Sequence, residues 1–159
     1  MNLQATTFRL LTSAAVLSFA LTGAVLAQET PAPAPAAAPA QASSASLSLE
    51  LNAAQPSEKG CRFTFVVLND LGTELTKAAF EIALFDEIGV VDRLTVLDFK
   101  ELPAGKTKVT RFDLSGTDCS KISRVLVNGS TGCEGQRIDP LACMRSLKTG
   151  SKAGIPFGV

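Results

Sequence analysis

The sequence contains no histidine, no tryptophan and no tyrosine in 159 residues. Without an imidazole, Ser-His-Asp and Cys-His nucleophilic machinery is excluded, as is every metal centre that needs a histidine ligand. The missing indoles and phenols leave phenylalanine and the aliphatic side chains to build a core. No Cys-x-x-Cys occurs, which removes the usual dithiol redox motif and the paired ligand spacing of a four-cysteine zinc site. An excess of one charge is lacking as well. From Gln28 onward 14 basic residues oppose 15 acidic ones, Arg9 being the fifteenth base. Such a balance predicts neither nucleic acid nor an anionic membrane surface as a partner. The chain is therefore not expected to be an enzyme, and no cofactor or metal is expected.

What the chain does carry begins with an address label. Met1 to Arg9 holds one positive charge and no acid, Leu10 to Ala27 is apolar and rich in small residues, and Val25-Leu26-Ala27 fits a signal-peptidase site before Gln28. Residues 1–27 are read as a signal peptide. The competing reading is an uncleaved anchor, since eighteen residues sit at the lower limit for crossing a bilayer. Thr12, Ser13, Ser18, Thr22 and Gly23 soften the run, so no stable membrane insertion is expected after cleavage. The expected location is periplasmic or secreted. Residues 28–46, with Pro31, Pro33, Pro35 and Pro39 among alanines and then a Ser/Ala tail, read as a disordered linker. The folded domain is expected over 47–159. Its four cysteines, Cys61, Cys119, Cys133 and Cys143, are an even set in an exported chain and predict two disulfides, with three pairings open.

The domain reads as all-β. Leu47, Leu49 and Leu51 alternate with Ser48, Glu50 and Asn52, the period of a strand with one wet face. Cys61, Phe63, Phe65 and Val67 share the inner face of a second strand, which stops at the turn-forming Asn69-Asp70-Leu71-Gly72. Leu75, Ala78, Ala79 and Ile82 also fit a helix, but the short connection Asp86 to Gly89 and the β-like restart at Val90 favour a strand over Ala78–Phe85. A further strand spans Val90–Phe99, disturbed at Asp92-Arg93 as a bulge or an edge position would disturb it. After a turn at Leu102 to Lys106, strands follow at Val109–Leu114 and Ile122–Asn128. Beyond Gly129 no period persists.

Several groupings invite chemistry. Asp86, Glu87, Asp92, Asp98 and Glu101 cluster around one hairpin, but they lack calcium-loop spacing and read as solvated turn residues. Lys106, Lys108 and Arg111, with Arg124, form a candidate basic stripe for an anionic partner. Asn128-Gly129-Ser130 fits a glycosylation acceptor and equally a turn. The C-terminal Ile155-Pro156-Phe157-Gly158-Val159 offers Phe157 and Val159 as candidate contacts for a partner that captures an apolar C-terminal strand. The plainer reading is a closing strand, with Ile155 and Phe157 packed back on the domain.

Ile82-Ala83-Leu84-Phe85-Asp86, Gly89-Val90-Val91 and Leu102-Pro103-Ala104-Gly105-Lys106 together resemble the immunoglobulin-like β-sandwich modules of the FxLYD type. The chain is similar above all to small exported bacterial proteins that carry one such module. The resemblance covers Leu47 to Asn128. It implies an immunoglobulin-like β-sandwich of about seven short strands. Many such relatives are labelled twin-arginine substrates; the single Arg9 points to the ordinary secretory route instead. In the sandwich that the resemblance implies, the second and last clear strands start at the same end, which pairs Cys61 with Cys119 and leaves Cys133 to close a tail loop with Cys143. The motifs speak to fold and are silent on chemistry. The expected function is a non-enzymatic interaction module of the periplasm or envelope, binding an envelope protein through a sheet face, edge or loop end. The alternative is a small-ligand carrier or sensor.

Overall fold

Leucine at every second position dictates the first strand, because only an extended backbone puts Leu47, Leu49 and Leu51 on one side. The computed structural model describes residues 45–159. The expected signal peptide, and the linker up to residue 44, lie outside the described residues. Strand β1 (Ser46–Ser57) turns at Glu58-Lys59 into β2 (Gly60–Asp70) and pairs with it antiparallel. Gly60 is required there: at φ +146° a Cβ would stand 2.4 Å from the Leu114 carbonyl oxygen. Then come β3 (Leu75–Phe85), β4 (Val91–Leu102), β5 (Thr107–Ser115), a short 3-10 turn at Cys119–Lys121 and β6 (Arg124–Gly135). A one-turn helix α1 (Ala142–Arg145) precedes β7 (Leu147–Ser151) and β8 (Phe157–Gly158).

The strands form two four-stranded sheets, β5-β2-β1-β7 and β4-β3-β6-β8. Their inner faces close over one core, so the all-β sandwich holds. Its first six strands are distributed between the sheets in the immunoglobulin-like manner. There are eight strands where about seven were expected. The two that the sequence did not delimit come from the segment without a period: β7 runs parallel to β1, and β8 runs parallel to β6. Short parallel edge strands need no alternation of their own, since their neighbours supply the buried surface. The disulfides are Cys61–Cys119 and Cys133–Cys143, the pairing the resemblance implied.

Phenylalanine takes over the role that tryptophan plays in such cores. Phe65 meets Phe63, Phe99, Phe112 and Phe157 edge-on, with ring centroids 5.5 to 6.1 Å apart. Edge-to-face rings fill the gap between sheets while keeping their quadrupoles complementary.

Some boundaries differ from expectation, each for a local reason. Asn69 and Asp70 belong to β2, with Asn69 fully buried, and the turn follows at Leu71 to Thr73. β3 begins at Leu75, and its register against β4 and β6 slips between Leu75 and Ala78. That irregularity puts two core residues three apart and imitates a helical period. Ala79 and Ala83 are buried on the opposite face because β3 lies between two neighbours. β4 continues through Leu102 and β6 through Gly135, the latter with register shifts near Asn128 and Thr131.

Candidate functional site

The β3–β4 hairpin carries the largest departure from ordinary burial. Ile88 is 84% exposed, Val90 55%, Val91 48%, Leu94 54% and Val96 51%. Among the described residues these are five of the nine exposed large apolar side chains. An apolar set gathered on one element marks an interaction surface more often than scattered single residues do.

Local chemistry holds these side chains outward. The Asp86 carboxylate accepts the backbone N–H groups of Ile88 (3.0 Å) and Val90 (2.8 Å), and Gly89 at φ +82° closes the turn. Ile88 is thereby fixed at the tip. Across the hairpin Val91 pairs with Phe85 while Arg93 pairs with Leu84, so Asp92 is an extra residue in β4. This bulge shifts the alternation by one, bringing Val91 onto the same outer face as Leu94 and Val96. Leu94 stands opposite Ala83, which itself stands opposite Leu126 of β6. Ala83 between larger neighbours keeps this part of the sheet low, and Glu81, opposite Val96, bounds the apolar set along β3. Arg124, its guanidinium 4.0 Å from the Phe85 ring centroid, bounds the patch on the β6 side.

β4 is also an edge strand, and both readings of Asp92-Arg93 therefore apply. Its free edge is bridged to the facing edge strand β5. Arg93 Nη1 donates to the Ser115 carbonyl (2.8 Å), and Lys108 Nζ donates to the carbonyls of Phe99 (3.0 Å) and Glu101 (2.8 Å). These contacts leave the outer face of β4 more accessible than its backbone edge.

The basic stripe expected at Lys106, Lys108 and Arg111 is not assembled. Lys108 shares the inward parity of Phe112 and Leu114 and spends its ammonium on β4 carbonyls, whereas Arg111 is exposed on the other face and Lys106 sits in the turn. Of the C-terminal candidates, Phe157 lies in β8 with its ring 5.5 Å from Phe65, so it closes the core; Val159 stays 68% exposed. The four cysteines are held as disulfides. Asn128 lies in β6, its side-chain amide donating to Glu81. The acids near the hairpin serve local geometry: Asp86 caps the turn, and the Lys100 ammonium and amide hold the Asp98 carboxyl below the usual range. Among the described residues, no group of three or more acidic or cysteine side chains could share a metal ion.

Two surface concavities lie among the described residues. One, of ≈ 600 Å³, opens beside the β1–β2 turn around the Arg62–Asp113 ion pair. The other, of ≈ 270 Å³, lies between the end of β3 and the segment leading into β6. Neither lies within the phenylalanine-filled space between the sheets. The sequence predicts a bulge or an edge at Asp92-Arg93 but does not single out the hairpin face, because Val91, Leu94 and Val96 carry the residue types of an inner face. No family model, curated protein or solved structure matches this chain.

Proposed function

We propose that this chain is a non-enzymatic interaction module of the bacterial periplasm or envelope, an exported FxLYD-type immunoglobulin-like domain. It binds a protein partner through the outer face of the β3–β4 hairpin. The observation that carries the reading is the set Ile88 and Val90 in the turn with Val91, Leu94 and Val96 on the bulged edge strand β4, each about half exposed or more. The two concavities among the described residues open at the surface, which directs attention there. Two disulfides fit an oxidising compartment, and among the described residues no helix is long and apolar enough to cross a membrane.

Photo-cross-linking from Val96 in intact cells tests this, with Gln55 at the β1–β2 end as the control position. A discrete protein adduct from Val96 and none from Gln55 is expected. Equal adducts from both positions, or none from Val96, would reject the hairpin as the contact. The intact mass of the exported protein tests the location, with loss of residues 1–27 and of four thiol protons expected.

A further inference from the structure

The outer face of β4, β3 and β6 is ordered in three rows that run across the strands. The middle row is Leu94, Ala83 and Leu126. On one side of it lie Val96, Glu81 and Gly129, and on the other Val91, Phe85 and Arg124. Along β4 the rows therefore read valine, leucine, valine, the same in either direction. The seam between β3 and β6 differs, with an acid at one end and a base at the other. Glu81 leans toward β6, where it accepts the Asn128 side-chain amide, and Arg124 leans toward β3, its guanidinium 4.0 Å from the Phe85 ring centroid. Both charges thus sit on the seam, one row to either side of the middle. Among the described residues neither has an ion-pair partner.

Such a face is complementary to itself. A two-fold axis lying along the middle row keeps every column in place and exchanges the two outer rows. Leu94 then meets Leu94 of the other copy, Val96 meets Val91, and each Glu81 comes opposite Arg124 of the other copy. A two-fold contact requires this match of a surface with its own reverse, whereas a face fitted to a different protein has no need of it. The remaining charges of the hairpin do not oppose the arrangement. Asp86 caps its own turn, and Arg93 is engaged by the Ser115 carbonyl. Glu87 at the tip and Asp92 in the bulge approach the far end of the other copy, where Lys77 pairs with Glu134 and Lys100 with Asp98. Three strands about 4.8 Å apart and three rows about 7 Å apart span a footprint on the order of 300 Å². That is below the ~800 Å² per partner of a standard stable complex, so even with the exposed Ile88 tips the contact is weak and reversible.

The geometry points to a reversible two-fold dimer, face to face through the outer surface of β4, β3 and β6, with the Glu81–Arg124 pair made twice and setting the orientation. The inference rests on the proposed docking face and names its occupant: a second copy of this chain.

Sedimentation equilibrium of the exported, disulfide-intact protein tests it. The native chain should pass from monomer to dimer between about 10 µM and about 1 mM, the range of a weak complex. Glu81→Arg and Arg124→Glu should each weaken the dimer by about tenfold or more, since each sets two like-charged pairs at the contact. An equimolar mixture of these two variants should dimerise as tightly as the native chain, because in the mixed pair both contacts join opposite charges again. Leu94→Lys, which brings two ammonium groups together on the axis, should stay monomeric throughout. A native chain that remains a monomer at about 1 mM overturns the inference. So does a dimer that Leu94→Lys or the two charge variants leave untouched, or that the mixture fails to restore. The photo-adduct from Val96 in cells separates this outcome from the docking face itself. An adduct with the mass of two copies supports the dimer. A discrete adduct of another mass overturns the second copy as occupant and keeps the face, whereas a monomer that gives no adduct removes both.

Discussion

The side-chain amide of Asn69 donates to the Leu102 carbonyl at 2.7 Å, joining β2 of one sheet to β4 of the other. The same nitrogen donates to the Thr73 carbonyl (2.9 Å), and the side-chain oxygen accepts the Leu71 amide (3.1 Å). The Asn69 carbonyl accepts from Gly105 at 2.7 Å. One fully buried asparagine thus ties the β2–β3 and β4–β5 connections together at one end of the sandwich. Asn69→Leu keeps the volume but strands two carbonyls and an amide. A loss of about 2 to 4 kcal/mol is expected by urea denaturation, and a loss under about 0.5 kcal/mol would show that the network is replaceable.

Thr110 is the converse case. It lies on the inward face of β5, opposite Phe65, with a buried hydroxyl that has no partner. Thr110→Val removes the orphan at nearly equal volume and is expected to be neutral or stabilising by up to about 1 kcal/mol. A clear destabilisation would mean that the hydroxyl is hydrogen-bonded after all.

The two disulfides close loops of very different length, with separations of 58 and 10 residues. In the chain-entropy account the first contributes about 4 kcal/mol and the second about 3 kcal/mol. Replacing Cys61 and Cys119 together by alanine should therefore lower the urea midpoint more than replacing Cys133 and Cys143. The reverse order would place the main constraint in the C-terminal staple that orders α1 and β7.

How far the chain announced this architecture depends on what each strand borders. β1 and β2 are legible because one face is wet and the other is core, so Leu47 to Leu51 and Cys61 to Val67 alternate openly. β3 is ambiguous because Ala79 and Ala83, small and flanked by two strands, are buried on its outer face as well, and its register slips near Leu75. β7 and β8 are illegible, being short and held by neighbours and a disulfide. The hairpin site is hidden for a related reason. Leu94 and Val96 carry the residue types of an inner face, and only the position of β4 at the sheet edge exposes them.

Acid should weaken the fold. The carboxyls of Glu50 (by Asn52, then Lys152), Asp98 (by Lys100), Asp113 (by Arg62, then Ser57), Asp118 (by Ser120) and Asp139 (by the Leu141 amide) are all held below their ordinary range. The native state therefore binds fewer protons than the unfolded chain once pH approaches the carboxylate range. The stabilisation is fully present above the ordinary carboxylate pKa of about 4 and is lost as pH falls through the lowered native values. The urea midpoint should be flat near neutrality and drop below about pH 4, with Asp113→Asn reducing the drop. Because these groups are exposed, the effect should be shallow and screened by salt. A midpoint that rises on acidification contradicts these shifts.

Charge placed on the hairpin separates docking from folding. Leu94 and Val96 face outward on an edge strand and are already about half hydrated, so Leu94→Lys and Val96→Glu remove little buried apolar surface. Each should change stability by less than about 0.5 kcal/mol, whereas Leu97→Lys, one position along and only 2% exposed, should unfold the domain. In cells the two outward variants should abolish the adduct formed from a cross-linker at Val91, because a partner's apolar surface cannot desolvate a charge at its centre. If Leu94→Lys folds normally and the adduct persists at its original yield, the outer face of β4 is not the contact.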